Sequence, residues 1–183
     1  MKGDNNMRYF LGIIPEKNIM ESIIAFQKMN PNNKLPQYVL PHITLFTPFV
    51  VPNGPELDGK VLKFFRETVP FLISLNGTST FGNHTVYLNV QSRPLKLFHD
   101  KILELLKSWK YSNQISGLNR EFVPHLTLGQ KIHGLNEKEI LEIKEKANGF
   151  YFSKTEFLCK DVILFGKRTK ESYSMIEKYE FSK

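Results

Sequence analysis

Pro41-His42-Ile43-Thr44-Leu45 and Pro124-His125-Leu126-Thr127-Leu128 match at four of five positions. Successive side chains of an extended strand point to opposite faces. His and Thr two residues apart therefore share a face, while Ile43, Leu45, Leu126 and Leu128 turn to the other. Each stretch offers one imidazole and one hydroxyl on an otherwise apolar strand, and two such strands side by side would gather all four around one cavity. That set suits phosphodiester chemistry. An imidazole with an ordinary pKa near 6.5 is a base when neutral and an acid when charged, so a pair can hold both states at once. Two neutral hydroxyls can donate to non-bridging oxygens whose charge grows in the transition state. Hydrolysing a phosphodiester needs this set: a water deprotonated, a leaving oxygen protonated. Which His is acid and which base is open at this level.

Strand register extends the candidate site. Phe46 lies four residues past His42, on the cavity face if the strand stays regular, where it could stack on a base or ribose. Its counterpart Gly129 leaves room instead. Phe10 and Tyr87 are candidates to line the same groove. His84, His99 and His133 have no partner at ligand spacing and read as surface or structural residues. No Cys/His or His/Asp cluster suggests a metal. Neither a Gly-rich phosphate loop nor a nucleophilic Ser or Cys motif is present.

The elements that must position these residues occur twice. Arg8 to Ile14 is a compact apolar run, read as a buried strand ended by Pro15. Pro15-Glu16 opens an amphipathic helix carrying Ile19, Met20, Ile23 and Ile24, which ends at Asn30-Pro31. A short strand at Tyr38 to Leu40 leads into the first His strand, through Phe46. A loop at Pro52 to Pro55 and a helix over Leu57 to Val69 follow. The second round has a strand at Phe71 to Leu75, a turn at Asn76-Gly77 and a short strand at Thr78 to Phe81. After Gly82-Asn83 come a strand at His84 to Val90, a helix from Pro94 to Trp109 and the second His strand at Phe122 to Leu128. Asn136 to Lys146 is a helix with a capping-box start, and three antiparallel strands lie beyond it, at 150–158, 160–165 and 173–181. The repeat of ~80 residues is too long for a solenoid unit and reads as a duplicated lobe. It pairs Phe10 with Tyr87, Gly12 with Asn89, His42 with His125 and Thr44 with Thr127.

With 183 residues, 41% of them hydrophobic, the chain is long enough for one globular domain with a substantial core. Residues 1–6 are polar and read as a disordered lead-in, leaving 7–183 as a single bilobal domain. The formal charge of +7 favours an anionic partner such as a nucleotide or RNA, although the Lys residues are spread widely. A lone cysteine, Cys159, excludes an internal disulfide and fits a reducing compartment. No apolar run approaches membrane-spanning length, so no membrane partner is expected and the cytoplasm is the default location.

The paired His-x-Thr motifs, with Arg8-Tyr9-Phe10-Leu11-Gly12-Ile13 and Phe122-Val123-Pro124-His125-Leu126-Thr127-Leu128, resemble the 2H phosphoesterase superfamily. That superfamily includes the 2′-5′ RNA ligase-like cyclic phosphodiesterases. The resemblance covers nearly the whole chain from Met7. It implies an α+β fold: two lobes related by approximate two-fold symmetry, with two antiparallel sheets and outer helices around a central cleft. It implies His42, Thr44, His125 and Thr127 as the catalytic set, no metal, and action on RNA ends or small cyclic phosphodiesters to leave a 2′-phosphate; no cofactor is expected, and a monomer is the default. Many bacterial relatives follow the second motif with Ala-Arg, whose Arg helps hold phosphate. Here Gly129-Gln130 stands instead, and Lys131 is the candidate substitute. Against the enzyme stands an RNA- or nucleotide-binding module with little turnover, which the positive charge and Gln130 would suit. A third reading is a structural domain stabilised by its His residues. Retention of all four motif residues favours the enzyme.

Overall fold

A computed structural model describes residues 7–46, 48–50, 57–115, 121–150, 152, 155–168 and 172–182. The expected lead-in at 1–6 and the loop at 52–55 lie outside the described residues. Nine strands form one antiparallel sheet: β1 (Arg8–Ile13), β2 (Ile43–Thr44), β3 (Phe49–Val50), β4 (Phe71–Phe81), β5 (Thr85–Gln91), β6 (His125–Gln130), β7 (Glu156–Cys159), β8 (Asp161–Lys167) and β9 (Ser174–Glu180). Four helices accompany it: α1 (Lys17–Lys28), α2 (Gly59–Glu67), α3 (Arg93–Leu106) and α4 (Glu137–Asn148).

The sheet order is β7-β4-β5-β6-β2-β1-β8-β9, with β3 also paired to β1. Each half contributes four strands to that path, and the His strands β6 and β2 meet in the middle. The two expected sheets are thus halves of one, joined at a seam with a single registered pair, Ile43 opposite Leu126. The far ends curl towards each other. Helix α2 packs on β9, α3 packs on β4, and the two helices pack together. Phe71 stacks with Phe181 at 6.0 Å between ring centroids, and the Ser182 N–H donates to the Thr68 carbonyl.

The helices form where the sequence spacing asks for them. In α1, Ile19, Ile23 and Phe26 are buried at helical intervals. Helix α4 begins with the anticipated capping box: Asn136 accepts from the Glu139 N–H while the Glu139 side chain accepts from the Asn136 N–H. Two expectations fail for local reasons. Asn76-Gly77 is not a hairpin turn; β4 runs through it as one strand with a bulge, for which Gly77 supplies a φ of +58°. The short strand expected at Tyr38 to Leu40 is absent, because Pro36 starts the chain into a 3₁₀ turn at Leu35–Gln37.

One face of β1 and β2 enters the main core through Tyr9, Leu11, Ile13 and Ile43. On the other face Phe10, Ile163 and Phe165 form a smaller cluster of their own. Ile43 and Leu126 at the seam are fully buried, so truncating either leaves a cavity between the halves. Leu126→Ala should lower the unfolding free energy by about 2–5 kcal/mol in urea titration. Leu141→Ala, on the exposed side of α4, should stay within about 0.5 kcal/mol. Equal losses would show that the seam contributes nothing special to stability.

Candidate active site

The seam sets the site geometry. Ile43 and Leu126 face each other and point into the core, so their neighbours point out of it. Continuing that register one step each way places His42 across from Thr127 and Thr44 across from His125. The His residues therefore occupy one diagonal and the Thr residues the other, with diagonal Cβ atoms roughly 7 Å apart. All four side chains line one cavity of about 420 Å³.

Each imidazole is oriented in the same way. His42 Nδ1–H donates to the Leu40 carbonyl at 2.7 Å, and His125 Nδ1–H donates to the Val123 carbonyl at 2.8 Å. A carbonyl only accepts, so both bonds fix the proton on Nδ1 and leave Nε2 with a free lone pair in the neutral ring. Pro41 and Pro124, between each His and its acceptor, hold the backbone extended for this contact. Aromatic rings then wedge each imidazole. Phe10 lies 4.7 Å and Phe165 5.5 Å from His42; Phe81 lies 4.9 Å and Tyr87 5.1 Å from His125.

The two wedges are built differently. Thr44 is opposite Gly12, whereas Thr127 is opposite Tyr87, an offset of two residues from the equivalence read in the sequence. A Cβ at Gly12 would lie 3.2 Å from the Phe10 ring and 3.3 Å from the Phe165 ring. Glycine there lets both rings close over the strand towards His42, a place Tyr87 fills directly in the other half.

Beyond the seam the His strands diverge, and side chains take up carbonyls of β6. Gln27 Nε2 donates to Thr127 O at 3.0 Å, and Asn33 Nδ2 donates to Leu128 O at 2.8 Å. Helix α1 and the loop after it thus hold β6 at the cleft, a role no motif in the sequence advertises.

Three sequence expectations for the surroundings change. Phe46 is not in the cavity; it is buried and stacked 5.4 Å from His99, which is sandwiched against Phe122 on its other side. Strand alternation fails because the N–H groups of Leu45 and Phe46 both reach the carbonyl of Leu11, a bulge that turns Phe46 to the core. The room at Gly129 is likewise not cavity, since a Cβ there would lie 2.5 Å from Leu135 Cδ1. Lys131 turns away to pair with Glu137 at 2.9 Å and is not among the cavity-lining residues. Of the other two candidates, Phe10 lines the cavity, and Tyr87 is buried behind His125.

Residues that the sequence did not single out also line the cavity, notably Tyr38, Lys167 and Tyr173, and so does Gln130, which stands where many relatives have Arg. His133, expected at the surface or in a structural role, lines it as well. Pairing of β1 with β8 brings Lys167 in, and that pairing spans most of the chain. Alternation of Ile163, Phe165 and Lys167 along β8 was the available signal. Among the described residues, no group of three or more His, Cys, Asp or Glu side chains is placed to hold a metal ion.

Burial lowers the pKa of both motif imidazoles. That of His42 falls to about 4, through burial first, partly opposed by the Leu40 bond, with the neighbouring His125 charge adding to the fall. That of His125 falls through burial, opposed by the Val123 bond. Both rings are therefore neutral at pH 7 in the free protein. The unfolded chain takes up a proton on His42 near pH 6.5 and the folded chain only near 4. The stability this neutral ring contributes is thus fully present above 6.5, is lost as pH falls, and levels off below 4. It amounts to roughly 3 kcal/mol. Nitrogen-15 titration of the imidazoles should place the His42 midpoint near 4. A midpoint at or above 6.5 would contradict the burial account.

The chain is similar to known proteins over most of its length. Residues 17–163 match the family model described as the 2′-5′ RNA ligase superfamily. A protein of Oceanobacillus iheyensis with a provisional phosphoesterase name is 30% identical over 141 residues, 74% of this chain and 77% of that one. The RNA 2′,3′-cyclic phosphodiesterase of Methanocaldococcus jannaschii is 27% identical over 161 residues, 87% of this chain and 90% of that one. In fold, the apo structure of E. coli LigT aligns over 98% of this chain and 100% of its own, with a TM-score of 0.62 at 14% identity. TT0787 of Thermus thermophilus aligns over 94% and 97%, also with a TM-score of 0.62, at 18% identity. With its curled antiparallel sheet, two His-x-Thr strands and a family match over most of its length, the chain belongs to the 2′-5′ RNA ligase superfamily of 2H phosphoesterases.

Proposed function

We propose that the protein is a metal-independent phosphodiesterase that opens 2′,3′-cyclic phosphates or cleaves 2′-5′ phosphodiester bonds at RNA ends or in nucleotides. The observation that carries this reading is the diagonal set of two His and two Thr in one cavity, each His presenting Nε2. The name of the M. jannaschii relative and the solved complex of LigT with 3′-AMP support a nucleotide substrate.

The pair works by sharing one proton. Two imidazoles this close repel when both are charged, so they take up one proton between them. His42 is the more deeply buried ring, so that proton settles on His125, and His42 stays neutral as the base. A bound phosphate anion stabilises the imidazolium and so raises the acid's pKa in the complex. His42 Nε2 takes a proton from water as its oxygen bonds to phosphorus. The bond from phosphorus to the 3′ oxygen breaks, that oxygen takes the proton from His125 Nε2, and a 2′-phosphate remains. Thr44 and Thr127 hydroxyls donate to the non-bridging oxygens throughout.

This scheme predicts a bell-shaped dependence of kcat/KM on pH, with its maximum below pH 6.5 because burial lowers both free-enzyme values. The alkaline limb of kcat should lie higher, since it reports the complex. His42→Ala should remove the acid limb and His125→Ala the alkaline limb, each losing about 10²–10⁴ in rate. The double variant should lose far less than the product of the two, because they act in one step. Less than a threefold loss at every pH from either single variant would leave only a binding groove.

A further inference from the structure

The cavity is longer than one phosphate needs, and its far end is cationic. Phe10 touches His42, and Tyr173 meets Phe10 edge-on at 4.8 Å. Lys167 Nζ lies over the Tyr173 ring, 4.6 Å from its centroid. This run of rings leads from the His pair to the mouth, where Tyr38, His133 and Lys167 line the wall. Arg8 is the cross-strand partner of Lys167, as Phe10 is of Phe165, so all four side chains share the face that holds His42. The Arg8 charge reaches the Tyr173 phenol.

The mouth is a constructed surface. The Tyr173 N–H donates to the Tyr38 carbonyl at 2.7 Å, and the Lys34 N–H donates to the His133 carbonyl at 2.8 Å. These bonds tie the segment before β9 and the turn at Lys131–His133 to the 3₁₀ turn at Leu35–Gln37. The rings of Tyr38 and His133 meet at 4.9 Å. Among the described residues no carboxylate lines the cavity, and neither Arg8 nor Lys167 is ion-paired. Lys131, by contrast, is neutralised by Glu137. Two unpaired cations on adjacent strands repel each other, and a shared anion converts that repulsion into attraction.

We infer that this mouth holds a second phosphate of the substrate, bound chiefly by Lys167 in the field of Arg8, while the scissile phosphate sits between His42 and His125. The inference rests on the phosphodiesterase reading and deepens it. The same chemistry serves a 5′-monophosphate on a nucleotide and the internucleotide phosphate of an RNA end.

Three substrates separate these cases: a nucleoside 2′,3′-cyclic phosphate, the same compound with a 5′-phosphate, and a dinucleotide ending in a 2′,3′-cyclic phosphate. The wild-type protein should prefer at least one of the last two over the first by about tenfold in kcat/KM. Whichever is preferred identifies the source of the phosphate. Lys167→Gln should bring that preference to within twofold. Lys63→Gln, the same charge change on α2, should keep it. Absence of a preference in the wild type, or a Lys167→Gln variant that retains it, overturns the inference. Calorimetric binding of a nucleoside 2′-monophosphate and a 2′,5′-bisphosphate keeps the two readings apart. If nothing is hydrolysed, the phosphodiesterase reading fails. The ratio of the two dissociation constants, about tenfold in the wild type and lost in Lys167→Gln, still decides the second-phosphate site.

Discussion

One registered pair across the middle of the sheet, Ile43 with Leu126, governs the geometry of the site. Both side chains are fully buried, and their burial fixes register, because a slip of one residue would turn two large aliphatic groups to the cleft and the His and Thr pairs into the core. Fixing register fixes the diagonal arrangement of the two His and two Thr side chains. The shortness of the contact matters equally. A longer ladder would close the strands against each other. With a single registered pair they diverge, and Gln27 and Asn33 take up the carbonyls of Thr127 and Leu128. The cleft is the gap this divergence leaves.

The electrostatics follow from placing two imidazoles in that gap. Aromatic rings shield each one, burial disfavours its charged form, and each is held by a carbonyl that keeps Nδ1 protonated. Neutral rings in the free protein avoid a buried charge pair that nothing nearby would balance. In the proposed reaction the negative charge of a phosphate substrate favours protonation of one of these rings. On the proposed reading, the charge of the ligand is part of the catalytic apparatus.

Much of this was legible in the sequence wherever local chemistry decides structure. The repeated Pro-His-x-Thr-Leu stretches, the apolar spacing of α1 and the capping box at Asn136 are short-range signals, and the structure places them as their spacing implies. What could not be read depends on distant pairing. Phe46 leaves the cavity because a bulge against Leu11 breaks alternation. Lys131 leaves it because Glu137 lies within reach. Lys167 enters it because β8 pairs with β1, from the opposite end of the chain. The one-sheet architecture was also hidden, since a duplicated lobe in sequence does not say whether the two halves share hydrogen bonds.

The central claim is that both His-x-Thr strands act on a single phosphorus atom. A crystal structure with a nucleoside vanadate, a five-coordinate mimic of the displacement, tests it most directly. The account predicts His42 Nε2 and His125 Nε2 on opposite apical oxygens, and Thr44 and Thr127 Oγ1 on equatorial ones, each at about 2.6–3.2 Å. Vanadate bound by one strand alone, or at the cavity mouth away from both imidazoles, would contradict it.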